Sequence, residues 1–135
     1  MDKWAIDVSR WQGVIDWQKV KEAGVEGAWI KVGGSDQGMY ADSRGAINMA
    51  EATIPFGTYY YAVPRLWDAE VQAEHAVSVG YGRGELWPAL DLEENRENLT
   101  NAELDEWVME FCAWVKGKTG RESLLYTGYG VGIGH

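Results

Sequence analysis

Glu85-Leu86-Trp87-Pro88-Ala89-Leu90-Asp91-Leu92-Glu93-Glu94 is the stretch whose reading decides the fold. It reads as a short apolar strand, near residues 86–93, that ends in carboxylates. Side chains alternate across a strand, so Asp91 and Glu93 share one face and Leu90 and Leu92 the other. Two residues of rise put the two acidic Cα atoms roughly 6.5 Å apart. At that separation one carboxylate raises the pKa of the other, which is what a general acid working near neutral pH requires. Flanking apolar residues mark the strand as buried, and an α/β barrel carries its chemistry at the C-terminal ends of such strands. On the pair alone, an ordinary strand end entering a solvated acidic loop is the simpler reading.

The surrounding chain is long enough, at 135 residues, for one domain with its own core. Its hydrophobic content of 46% sets it apart from disordered chains. Eight Trp and seven Tyr exceed what a core of this size needs, and the surplus suits sugar faces or a protein interface. A net charge of −9 argues against nucleic acid and against anionic membrane surfaces as partners. The single Cys112 cannot form an internal disulfide and reads as a small core residue in a helix. His75 and His135 show no metal-ligand spacing, so neither metal nor cofactor is expected. No apolar run reaches the length of a membrane-spanning helix, and Met1-Asp2-Lys3-Trp4 does not read as a signal peptide.

Strand-like and helix-like segments alternate through the chain. Strands are expected near residues 4–9, 27–32, 56–63, 86–93 and 123–127. The second is expected to break at Gly33-Gly34. Asp16, Asp42 and Asp68 are read as helix N-caps. Thr100-Asn101-Ala102-Glu103 is a capping box, followed by Leu104, Trp107, Val108, Phe111 and Val115 on one apolar helix face. Trp67, just before a cap, is read as a hydrophobic staple. This alternation predicts a parallel sheet with right-handed crossovers, either an open doubly wound sheet or part of a barrel.

The strand ends indicate the chemistry. The first turn, Ser9-Arg10-Trp11-Gln12-Gly13, is no dinucleotide fingerprint. Asp7, Lys31, Tyr59, Tyr61, Asp91, Glu93 and Tyr126 fall at strand ends instead. Carboxylates and aromatic rings without a phosphate cradle fit glycoside chemistry. Lys31 suits a substrate contact or a structural ion pair equally well. Trp11 suits the floor of a sugar site or a barrel cap. Glu94 points away from Asp91 and Glu93 if the strand persists, and is expected in solvent.

An ordered set of short motifs carries a resemblance through nearly the whole chain. It comprises Asp7-Val8-Ser9 with Gln12-Gly13, Ile15-Asp16-Trp17, Ile30-Lys31, Tyr40 and Asp42, Asn48 and Gly57-Thr58-Tyr59. Gln72-Ala73, Pro88-Ala89-Leu90-Asp91-Leu92-Glu93 and Leu125-Tyr126-Thr127 complete it. The set resembles the glycoside hydrolase family 25 lysozymes, muramidases of bacterial cell walls, many of them from phages. The resemblance implies Glu93 as general acid/base, Asp91 as the group that orients the substrate's N-acetyl group, and Asp7 as a further site carboxylate. It places Tyr59 and Tyr61 at the site's aromatic positions. Tyr59-Tyr60-Tyr61 departs from the family's usual Tyr-His-Phe, and Val32-Gly33-Gly34-Ser35 lacks a Glu often found after the Lys.

The resemblance also implies three further strands, the last with another active-site Asp, and the sequence ends at His135 before them. The expectation is therefore a partial TIM-like (β/α) barrel. It has about five parallel strands with outer helices, in one C-terminally incomplete catalytic domain over residues 1–135. Five strands leave an open edge, so a second copy or another chain is expected to complete the barrel. The implied substrate is peptidoglycan, cut between N-acetylmuramic acid and N-acetylglucosamine. The implied course is synthesis in the cytoplasm and action at the cell wall, phage-released or virion-associated. The alternative is a non-catalytic barrel fragment that binds glycan or serves assembly in a larger particle.

Overall fold

The computed structural model describes residues 4–127. The Gly-rich tail and His135 lie outside them. Five parallel strands lie side by side in chain order: β1 (Trp4–Val8), β2 (Val25–Gly34), β4 (Phe56–Tyr61), β5 (Ala89–Leu92) and β6 (Leu124–Thr127). Helices α1 (Trp17–Glu22), α2 (Gly45–Glu51), α3 (Ala69–Ser78) and α4 (Asn101–Thr119) fill the crossovers. The result is the expected half-barrel, with helices on its outer face. Among the described residues, β1 and β6 each pair on one side only.

Two apolar clusters bind the helices to the outer sheet face. Val8, Trp17, Ala28, Ile30 and Ile54 form the first. Tyr60, Leu90, Leu92, Leu104, Trp107, Phe111 and Val115 lie in the second, so α4 buries the stripe its spacing predicts. Burying such side chains stabilises by about 1.5–3 kcal/mol each. Trp107 stacks on Phe111 with ring centroids 5.5 Å apart. The capping box at Thr100 and Glu103 starts α4, and Gly120, in the left-handed region at φ 73°, ends it.

Several local expectations need correction. Gly33 and Gly34 do not break β2. They continue it and pair antiparallel with a short strand, β3 (Tyr40–Ala41), that the sequence pattern did not suggest. Glycine fits because Tyr40 passes too close for a side chain at either position. Asp42 does not cap α2, whose N-cap is Arg44. The Asp42 carboxylate instead accepts from the backbone N–H of Arg10 at 3.3 Å and of Arg44 at 3.1 Å, tying the loop after β1 to the start of α2. Asp68 occupies an N-cap position without a side-chain bond, whereas Asp16 accepts from Lys19 N–H at 3.1 Å as expected. The central strand is shorter than its apolar run, because Trp87 and Pro88 precede β5 and Glu93 follows it.

A buried polar network fixes the C-terminal end of β4. Ser35 Oγ donates to Gln72 Oε1 at 2.8 Å and accepts from Val63 N–H at 2.8 Å, while Gln72 Nε2 donates to the Val63 carbonyl at 2.7 Å. Satisfied networks of this kind rigidify the chain around them. Here the beneficiary is Tyr61, two residues upstream, whose carbonyl also accepts from Ser35 N–H at 2.9 Å.

Candidate active site

The inner sheet face, opposite the helices, holds a cleft of about 580 Å³. Strand alternation selects what faces it. Asp7 comes from β1, Trp29 and Lys31 from β2, Tyr59 and Tyr61 from β4, Asp91 from β5 and Tyr126 from β6, with Glu93 just beyond β5. Register then sets neighbours. Tyr61, Asp91 and Tyr126 lie directly opposite one another across three strands, and Lys31 lies opposite Tyr59. Trp11, on a short 3₁₀ turn (Arg10–Gln12) after β1, reaches the same cleft. All eight residues singled out from the sequence therefore meet at one place.

The two central acids differ in setting. Asp91 is buried, at 7% exposure, and its Oδ1 has no hydrogen-bond partner. Glu93 is exposed. Burial, then repulsion from Glu93, pushes the Asp91 carboxyl up to about 8, against a smaller opposing pull from Lys31. The Asp91 carboxyl therefore holds its proton near neutral pH while the cleft is empty. Tyr59 is shifted up by burial and then by Asp7 and Asp91, so it stays a neutral donor at any ordinary pH.

Lys31 resolves toward the cleft. Its ammonium lies 5.3 Å from the ring centroids of both Tyr40 and Tyr61. Among the described residues it has no ion-pair partner within 4.0 Å. Trp11 is 78% exposed, with the Arg10 guanidinium 5.1 Å from its ring centroid, which is no barrel cap.

Sequence reasoning missed two site features. Trp29 lines the cleft, and its indole N–H crosses over Gly57 to the Trp87 carbonyl at 2.9 Å. A Cβ at position 57 would lie 2.9 Å from that nitrogen, so the Gly57 in Gly57-Thr58-Tyr59 makes room for the indole. The available signal was period-two alternation with Lys31. Glu94, expected in solvent, is half-buried instead. It accepts from the Tyr61 hydroxyl at 2.9 Å and pairs with Arg96 at 2.7 Å. The strand does not persist to Glu94, so alternation could not place it.

A parallel α/β half-barrel with carboxylates and aromatic rings on its inner face is the architecture of a barrel glycosidase. The model of glycosyl hydrolases family 25 matches residues 6–131, and the chain belongs to that family. It is 34% identical over 134 residues to Lysozyme M1 of Streptomyces globisporus, a match covering 90% of this chain and 45% of that protein. The bacterial lysozyme of Streptomyces coelicolor superimposes with a TM-score of 0.78 at 31% identity, covering 94% of this chain and 64% of the other. The catalytic domain of an endolysin from bacteriophage P40 of Listeria monocytogenes gives 0.77 at 28%, covering 95% and 64%. The chain spans about half the length of the curated relatives it matches.

Proposed function

We propose that this protein is a peptidoglycan hydrolase, an N-acetylmuramidase that cuts the bond between N-acetylmuramic acid and N-acetylglucosamine at the cell wall. The observation that carries the reading is the Asp91–Glu93 pair, buried and exposed respectively, in a cleft lined by Trp11, Tyr59, Tyr61 and Tyr126. Aromatic rings stack on sugar faces, and the acids supply the proton.

Glu93 is the proton donor and Asp91 is not a direct nucleophile. Paired carboxylates that flank a glycosidic bond stand on opposite sides of it, about 5–5.5 Å apart for retention and farther for inversion. Residues two apart at the end of one strand flank it poorly. Their geometry suits substrate assistance, in which the substrate's own acetamido oxygen attacks the anomeric carbon as the glycosidic bond breaks. Asp91 Oδ1, lacking a partner within the protein, accepts the acetamido N–H. The acetamido group gains positive charge as its oxygen attacks, and an ionised Asp91 offsets that charge, so the shared proton moves to Glu93, which delivers it to the leaving oxygen. Asp7, Lys31 and Tyr59 hold the sugar around this centre. A cleavage assay of the chain on purified peptidoglycan, beside Glu93→Gln, tests the reading. Wall solubilised by neither protein would favour a module that binds glycan without cutting it.

The β6 edge favours one further element. Leu124, Leu125 and Tyr126 are all exposed, and on the inner face Leu124 and Tyr126 continue the cleft. An apolar strand edge of this kind pairs with other chain. A second copy or a further polypeptide is proposed to cover it. Light scattering of this 135-residue chain is expected to give more than the monomer mass, and a monodisperse monomer would contradict it.

A further inference from the structure

Glu93 stands one residue past the last rung of the sheet, where Leu92 pairs with Thr127. Among the described residues its backbone takes no further part in the sheet, so its place in the cleft depends on the segment that follows. That segment is tied down through Glu94. The Glu94 carboxylate accepts from the Tyr61 hydroxyl at 2.9 Å, from Arg96 Nε at 3.2 Å and from Arg96 Nη2 at 2.7 Å. Arg96 Nη1 donates in turn to the Asp36 carbonyl at 3.0 Å, and the Asp36 carboxylate accepts the Tyr40 hydroxyl at 2.9 Å. Downstream, the Asn95 side chain closes on Leu99 through two bonds of 2.8 Å. One carboxylate thus joins β4, the connection between β2 and β3, and the loop after β5. The Arg96 guanidinium holds the Glu94 carboxyl below the usual range, so the tie stays charged at neutral pH.

We propose that Glu94, held by Tyr61 and Arg96, is a positioning residue that fixes where the Glu93 carboxyl stands. The proposal rests on Glu93 as the proton donor. Glu94 shares no face with Asp91 and does not line the cleft, so it acts through the residues it holds, Glu93 along the chain and the Tyr61 hydroxyl across it. The ion pair is partly exposed, with the Arg96 and Glu94 side chains at 43% and 33%, and contributes little to global stability, so its effect is local order.

Two readouts on the full chain separate this from the fate of the functional reading. Amide hydrogen exchange of Glu94→Ala is expected to speed up about tenfold over residues 93–99, with the core helices unchanged. On peptidoglycan, kcat of the same variant falls by about 10–100-fold with KM nearly constant, the signature of a displaced proton donor. Glu94→Gln keeps one acceptor oxygen and recovers part of both. Unchanged exchange over residues 93–99 in Glu94→Ala overturns the proposal. So does an unchanged kcat in a chain whose parent cuts glycan. If the parent cuts nothing while the variant loosens the segment, the tie stands and the role given to Glu93 fails.

Discussion

Glu93→Gln is expected to lower glycan cleavage by about 10²–10⁴-fold, the range for loss of a general acid. Glycan affinity stays nearly unchanged. The amide keeps the size and polarity of the carboxyl but has no proton to give. Glu93 is exposed in the empty cleft and takes no part in either apolar cluster, so the fold survives the change. Initial rates on peptidoglycan give kcat, and binding of the variant to the insoluble wall gives affinity. A loss of binding that matched the loss of rate would make Glu93 a sugar contact and not a proton donor.

Asp91→Asn is expected to move activity and stability in opposite directions. Burial and the charge of Glu93 lift the Asp91 carboxyl to about 8. In the unfolded chain an aspartate releases its proton at about pH 3.9. Between those values the folded chain holds a proton that the unfolded chain has lost, so stability falls as pH rises through the window. An asparagine removes this liability. The variant and the parent have similar stability below about pH 4, and the variant gains as pH rises, levelling off above about pH 8. Allowing for relaxation around the buried group, the gain at pH 8 is about 1–3 kcal/mol, or roughly 3–10 °C in Tm. The rate falls strongly, because an amide cannot supply the ionised acceptor for the acetamido N–H. Thermal melts from pH 4 to 9 check the first half, and a pH-independent difference between the two proteins would contradict it. The pair works with one proton between its two members, which predicts a bell-shaped rate profile on the acidic side of pH 8.

The parts of the fold that rest on periodicity were legible in the sequence. Leu104, Trp107, Phe111 and Val115 announce a buried helix face, and Tyr59/Tyr61 against Tyr60 announce a two-sided strand. The sequence likewise put Asp7, Lys31 and Asp91 at strand ends, and the fold gathers them in one cleft. What was not legible depends on contacts distant in sequence. Asp42 resembles an N-cap locally, but the backbone of Arg10 lies beside it only after β1 and β2 pair. β3 is two residues long and has no pattern to read. Spacing shows that Asp91 and Glu93 are neighbours, but which of them is buried follows from the strand ending at Leu92. Glu94 was misplaced for the same reason, since its partners Tyr61 and Arg96 are met only after the chain leaves the sheet.

The central claim is that the substrate's own acetamido group, held by Asp91, attacks the anomeric carbon. Cleavage rates on two glycans that differ only in the N-acetyl group beside the scissile bond test it most directly. The acetylated glycan is expected to be cut and the de-acetylated one to resist. Equal rates on the two would contradict the role given to Asp91.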